Sequence, residues 1–143
     1  MGGRILSASA AVVREGRILL VRRRDIGTWE MPGGFVEEGE APWEAAVREC
    51  FEESGVVVLP GPIVGVYHRP RQHLTVLVFR CSYELGDPIA TDEASDARWF
   101  PLEAIPEPMV EVVHERIDDV RLGADVTYRT QIGRGNAVVR ADG

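Results

Sequence analysis

The stretch from Gly34 to Val56, GFVEEGEAPWEAAVRECFEESGV, limits what this chain can become more than any other. It holds seven glutamates and one arginine. Residues 42–54 carry helical periodicity, with Trp43, Ala46, Val47, Cys50 and Ser54 on one side. Pro42 suits the first helical turn, and Gly55 suits the left-handed position just past the end. Glu49, Glu52 and Glu53 then stand at i, i+3 and i+4 on a common face. Ala45 is expected to project from that carboxylate side, with Trp43, Val47 and Cys50 packing inward.

Like charges at this spacing repel. Relief needs a raised pKa, a basic partner or a cation. Arg48 can pair with Glu44 or Glu40, which still leaves the three acids. Mg²⁺ takes oxygen ligands, keeps several waters, and is commonly held by a few carboxylates together with substrate phosphates. A lone Glu-x-x-Glu-Glu helix is ordinarily a solvated surface. Here a Gly-Gly loop precedes the helix and no lysine interleaves the acids, which favours a metal–phosphate site.

The 143 residues fit one domain, taken as 1–143 with an uncertain tail from about 124. Hydrophobic content of 45% is ordinary for a globular chain. The net charge of −7 argues against a nucleic-acid polymer as partner, while a small anion that brings a cation remains allowed. All sixteen basic residues are arginine, which reads as coding bias. Cys50 and Cys81 form no CxxC pair and fit a reducing compartment, so a cytoplasmic location is expected. No apolar run is long enough for a membrane span. The opening MGGRILSASAAVV has some signal-peptide character, but its alternation favours a strand.

Residues 5–13 and 17–23 read as strands joined at Gly16. Two further strands, 56–69 and 73–85, form a long hairpin around PRQ, the first broken at Pro60-Gly61-Pro62. Residues 96–102 give a short strand and 107–122 a second helix, with Met109, Val112, Val113, Ile117 and Val120 as its apolar side. DVTYRT is a candidate strand in the tail, and the rest of the tail is expected to be mobile. Strands with two helices predict an α/β sandwich, the helices covering both faces of a curved, mixed sheet.

The segment also resembles the signature of the Nudix hydrolases. That signature is Gly, five residues, Glu, seven residues, Arg-Glu, an apolar residue, any residue, Glu-Glu, any residue, Gly and an apolar residue. Gly34, Glu40, Arg48, Glu49, Cys50, Glu52, Glu53, Gly55 and Val56 meet it over 23 residues. The likeness extends through WEMPGG upstream and DEASDARWFPLEAIPEP downstream. Cys50 stands where Leu is commoner, and Ala41 where Ser or Thr often caps the helix, a cost of about 1 kcal/mol.

The resemblance implies a Nudix-type α/β/α sandwich that cleaves a phosphoanhydride in a nucleoside diphosphate linked to another group, with Mg²⁺ or Mn²⁺. It implies Glu49 and Glu53 as direct ligands, and Glu52 as a ligand or a helper of the attacking water. The carbonyl of Gly33 or Gly34 completes the metal set. Arg48 orients the glutamates through Glu40, and Gly55 ends the helix. Glu93 is the candidate for a further base or ligand, with Asp92 and Asp96 weaker. Arg23 and Arg69 are candidates for substrate phosphate. Arg22 and Arg24 alternate to the other face, and Arg71 flanks the hairpin tip. Glu37 and Glu38 read as solvated loop charges. Trp29 and Tyr67 could stack on a base, though core positions are the commoner fate of such aromatics. Trp99 and Phe100 read as core. His68, His73 and His114 carry no assigned chemistry.

The substrate is less constrained. Relatives that clear oxidised guanine nucleotides place Asn before a Glu-Pro where this chain has Pro106, which argues against that specificity. Pro70 and Tyr67 lie where relatives acting on ADP-ribose or dinucleoside polyphosphates have a Pro or Tyr. ADP-ribose or a similar derivative is the expectation, with (d)NTP or dinucleoside polyphosphate hydrolysis as the alternative. A non-catalytic nucleotide sensor would have lost box glutamates, and Cys81 lacks the motif of the diphosphate-lipid isomerases. Many relatives dimerise through strands, and the tail after Ala124 is a candidate for that contact.

Overall fold

The computed structural model describes residues 3–123 and 125–133, and the backbone of Val138–Val139. The strands are β1 (Ile5–Arg14), β2 (Arg17–Arg23), β3 (Trp29–Glu30), β4 (Gly33–Phe35), β5 (Val57–Leu59), β6 (Ile63–Arg69), β7 (Leu74–Leu85), β8 (Ala94–Pro101), β9 (Met109–Val110), β10 (Thr127–Thr130) and β11 (Val138–Val139). The helices are α1 (Pro42–Ser54) and α2 (Glu111–Leu122). Mobility of the tail was expected at positions that lie, in part, outside the described residues.

The strands form one mixed sheet in the order β10-β6-β7-β1-β2-β3-β9-β11, with β4 on β1, β5 on β7 and β8 on β2. β1 runs parallel to β7, and β10 parallel to β6, while β1–β2 and β6–β7 are antiparallel hairpins. Alternation along the inner strands builds two cores. Ala8, Ala10, Val12, Leu19, Phe79 and Cys81 face α1. Ala11, Ile18, Leu20, Val76 and Val78 join Val112, Val113, Ile117 and Val120 of α2 on the other face. The result is the expected α/β/α sandwich.

α1 begins and ends where the sequence places it. Gly55 takes φ 77° and its N–H donates to Phe51 O. At the other end Ala41 offers no side-chain cap, but its own N–H donates to Glu44 Oε1 at 2.9 Å, half of a capping box.

The inward face of α1 differs from expectation. Trp43 is half exposed, and Ala45 is fully buried with Ala46, Cys50 and Ser54. These small side chains lie against Ala8, Ala10 and Val12, so the helix seats close to the sheet. The side that Ala45 shares with the acids therefore faces protein. Cys50 does pack as a small hydrophobe.

α2 starts at Glu111 rather than 107. Pro108 disfavours helical backbone at Glu107, and Met109–Val110 instead pair as a strand with Trp29 and with β11. The candidate strand in the tail forms as β10.

Candidate active site

The turn between β3 and β4 and the last two turns of α1 bring the acids together. Glu53 Oε1 accepts a hydrogen bond from the Gly33 N–H at 2.7 Å. Glu49 lies over Gly34, where an added Cβ would meet the Glu49 carboxyl carbon at 2.6 Å. Only a residue without a side chain leaves that carboxylate in place. Ser7 Oγ donates to Gly34 O at 3.0 Å, holding the β4 edge against β1.

Glu93 completes the cluster from the other side. Carboxylate oxygens of Glu49, Glu53 and Glu93 all lie within 4.8 Å of one another. The loop that carries Glu93 is tied down twice. Its N–H donates to Thr91 Oγ1 at 3.2 Å, and Arg24 donates to the carbonyls of Thr91 and Asp92 at 2.5 and 3.1 Å. Glu52 stands outside this cluster, 3.2 Å from Arg48 Nη1.

Arg48 holds the loop to the helix as expected, through Glu40 rather than Glu44. Its Nε and Nη2 donate to Glu40 at 2.7 and 3.0 Å, its Nη1 to Glu49 at 2.8 Å, and its Nη2 to Phe35 O at 3.2 Å. Hydrogen bonding to Arg48 lowers the Glu40 pKa. Glu37 and Glu38 are exposed loop charges.

The buried acids are not balanced in the same way. Burial pushes Glu53 up to about 8, against the pull of the Gly33 N–H, and the charges of Glu30, Glu49 and Glu93 add to the rise. Glu49 is raised by burial despite Arg48. Glu30, half-buried, is pushed up to about 7 by desolvation. The helix thus carries a concentration of carboxylate charge that its own arginine does not neutralise.

The cluster borders a cavity of about 550 Å³, with Glu53, Glu93 and Gly34 in its wall. Ser7 and Ser9 line it from β1, and Val110, Val112 and Val113 from the region of α2. Arg23 and Arg69, the candidates for substrate phosphate, also line it. Arg23 is already engaged with Asp25, at 2.9 and 2.5 Å, and with Glu30 at 3.3 Å. The expected alternation of Arg22, Arg23 and Arg24 is interrupted by a register shift against β8. Arg22 turns to Gly27 O at 2.9 Å, whereas Arg24 joins the cavity wall.

Other candidates lie elsewhere. Trp29 and Tyr67 are core residues, and Trp99 and Phe100 pack against the two cores. Asp96 pairs with Arg98 at 2.9 Å. His68 meets Arg4 at 3.4 Å, and His114 sits on α2 beside Asp118. The sequence reading missed Glu30 and Arg116, both in the cavity wall. A signal for Arg116 was present: it interrupts the apolar stripe formed by Val112, Val113, Ile117 and Val120.

A family model described as the NUDIX domain matches residues 3–119. A MutT-like protein of Streptomyces ambofaciens is 37% identical over 130 residues, covering 90% of this chain and 84% of that protein. A putative 8-oxo-dGTP diphosphatase of Bacillus subtilis is 37% identical, covering 76% and 73% of the two chains. An ADP-ribose pyrophosphatase of Methanocaldococcus jannaschii is 34% identical, covering 78% and 69%. In fold, the chain superposes on a NUDIX hydrolase from Nitrosomonas europaea with a TM-score of 0.80 at 22% identity, covering 92% and 81%. Matched along most of its length by model, relatives and fold, this chain belongs to the Nudix hydrolase family and is a Nudix pyrophosphohydrolase.

Proposed function

We propose that the cavity binds a nucleoside diphosphate linked to a second moiety and that the acid cluster directs hydrolysis of its phosphoanhydride bond. The observation that carries this is the convergence of Glu49, Glu53 and Glu93 within 4.8 Å, with Glu53 and Glu93 in the cavity wall. The donor set fits a hard divalent cation, because it consists of carboxylate oxygens of which only those of Glu49 have an ion-pair partner among the described residues. Glu49 and Glu53 would hold it, with the Gly34 carbonyl as a further oxygen donor and Glu93 beside them. Bound Mg²⁺ or Mn²⁺ supplies neutralisation of the charge on the phosphoryl oxygens and acidifies a bound water.

The remaining work belongs to the chain. Glu93, exposed on its loop, is the proposed base that takes a proton from the attacking water. Glu52, held by Arg48 at the rim of the cluster, is the second candidate for that proton. Arg48 and Glu40 position the helix, and Gly55 lets the chain leave it. Arg23 and Arg69 face the diphosphate and the rest of the substrate. The apolar wall of Val110, Val112 and Val113 excludes water from the nucleoside.

ADP-ribose or a similar derivative is the proposed substrate, consistent with Pro106 in place of the Asn noted above. The relatives carry both ADP-ribose and 8-oxo-dGTP names, so hydrolysis of (d)NTPs or dinucleoside polyphosphates is the second reading. We place the protein in the cytoplasm, on its two free, buried cysteines. No helix among the described residues is long and apolar enough to cross a membrane. One domain suffices for the reaction, and a dimer through the tail remains a proposal whose residues lie largely outside those described.

The test is a panel of nucleotides with Mg²⁺ or Mn²⁺, following release of nucleoside monophosphate or phosphate. Metal-dependent turnover that is lost in Glu53→Gln and lowered in Glu52→Gln supports the assignment. Tight binding without turnover, or unchanged turnover in both variants, would overturn it.

A further inference from the structure

Two arginines in the cavity wall have no ion-pair partner among the described residues. Arg69 and Arg116 are 6% and 8% exposed, and both line the cavity wall. Neither has a carboxylate within ion-pair distance among the described residues. Arg69 donates from Nη2 to Gly133 O at 3.1 Å, while its buried Nε has no partner among the described residues. Arg116 donates from Nε and Nη2 to the neutral Gln131 Oε1, at 3.2 and 3.0 Å.

The nearby acids have other hydrogen-bonding partners, and Glu30 and Glu115 act on Arg116 only from beyond ion-pair distance. Asp119 accepts from Tyr67 and twice from Arg129. Glu115 accepts from Gln131 Nε2 at 3.1 Å. Glu30 pairs with Arg23 at 3.3 Å. Gln131 is itself held, since its Nε2 also donates to Val112 O at 3.0 Å. That second bond turns its oxygen toward Arg116, whose guanidinium stands 5.4 Å from the Tyr67 ring centroid.

A buried, unpaired cation is costly, and two close together are more so. Burial and the Arg69 charge push Arg116 down to about 10, against the opposing charges of Glu30 and Glu115. A neutral acceptor such as a base carbonyl would satisfy hydrogen bonds but not charge. An anion satisfies both.

Position narrows the anion's source. Gly34, Ala8, Leu77 and Val66 are register partners across β4, β1, β7 and β6, and Arg69 ends β6 opposite Leu74. Three strand spacings therefore separate the acid cluster's glycine from the strand of Arg69, about 14 Å along the sheet at ~4.8 Å per strand. A diphosphate seated at the acids leaves the β6 end to the far arm of its molecule, along a wall that includes Leu74, Val76 and Val113.

We propose that Arg69 and Arg116 bind a phosphomonoester carried on the non-reacting arm, so that the site prefers nucleoside diphosphate derivatives bearing this additional phosphate. This rests on the hydrolase function proposed above.

The experiment uses matched pairs that differ by one phosphomonoester, NADH with NADPH and ADP-ribose with its 2′-phosphate. Hydrolysis is followed with Mg²⁺, and binding by calorimetry on the metal-free protein. The wild type is expected to favour the phosphorylated member in kcat/KM by about tenfold to a hundredfold, the range of one charge-assisted hydrogen bond. Arg116→Gln and Arg69→Gln should each collapse that ratio, chiefly by raising KM for the phosphorylated member, and Arg116→Lys should restore part of it. Circular dichroism and melting identify any variant that fails to fold, in which case the other variant decides.

Equal turnover of both members by the wild type overturns the proposal. So does an equal slowing of both members in the variants, or inorganic phosphate binding to the arginines without any preference within the pairs. Tighter binding of the phosphorylated member, lost in both variants, with no hydrolysis of anything, would uphold the arginine site while sinking the hydrolase function.

Discussion

Glu53 Oε1 accepts the Gly33 N–H at 2.7 Å, so the last turn of α1 is tied to the first residue of β4. One carboxylate thereby serves two purposes: it locks the loop and it belongs to the acid cluster. Glu53→Gln separates them, because an amide oxygen can still accept from Gly33 while the charge is gone. We expect the variant to keep its fold and to lose about a hundredfold or more in kcat, the order seen when a charged catalytic group is removed. Turnover together with a melting curve checks this.

Proton linkage at the same residue gives a second expectation. The folded-state pKa of Glu53, about 8, lies above the ordinary carboxylate value. A raised pKa contributes stability that is full below the unfolded value and is lost as pH rises through the folded one. Glu30, at about 7, has the same sign. The metal-free protein should therefore melt at progressively lower temperature from about pH 5 to about pH 8, and Glu53→Gln should flatten the upper part of that fall. Added Mg²⁺ should bind more tightly as pH rises and release protons as it binds. Calorimetry in buffers of different ionisation enthalpy reads the proton count.

Gly34→Ala tests the close approach of helix and loop. The new Cβ would lie 2.6–2.9 Å from the Glu49 carboxylate group, so that side chain must swing away. Glu49 is the flexible partner, so the fold should survive while kcat/KM falls about tenfold or more, as for other losses of ligand positioning. Unchanged kinetics would mean that Glu49 is not held where it is needed.

Arg48→Met removes the guanidinium that joins Glu40, Glu49 and Glu52. Three acids are then left in mutual repulsion. The melting temperature should drop by several degrees without metal, and Mg²⁺ should recover more of it than it adds to the wild type. A thermal-shift series with and without Mg²⁺ shows whether it does.

Tyr67→Phe probes the support beneath α2. The fully buried phenol donates to Asp119 at 2.8 Å, and Asp119 keeps both bonds from Arg129 at 2.7 Å when the hydroxyl goes. Loss of one buried hydrogen bond should cost about 0.5–1.5 kcal/mol. Urea denaturation reads it directly.

Much of this arrangement was legible in the sequence because it is local. The bounds of α1 follow from Pro42, the acid spacing and Gly55, all within a few turns. The β1–β2 hairpin follows from alternation and Gly16. What escaped depends on distant packing. Whether Trp43 or Ala45 goes inward is decided by how close Ala8 and Ala10 let the helix sit, and no pattern inside α1 carries that. Glu93 was picked out through family resemblance alone. It reaches Glu49 and Glu53 because the Arg24 side chain reaches the Thr91 and Asp92 carbonyls. Arg116 looked like an ordinary polar residue on an amphipathic helix, since a sequence does not reveal that its neighbouring acids are taken.

The two helices lie on opposite faces of the sheet, yet a residue from each lines the same cavity. On the proposed function, bond breaking and molecular selection fall on separate segments of the chain. Changes along α2 and the β6 end can retune which nucleotide derivative is accepted while α1 keeps its acids. Such a layout lets descendants of one ancestor diverge in diet without reinventing their chemistry.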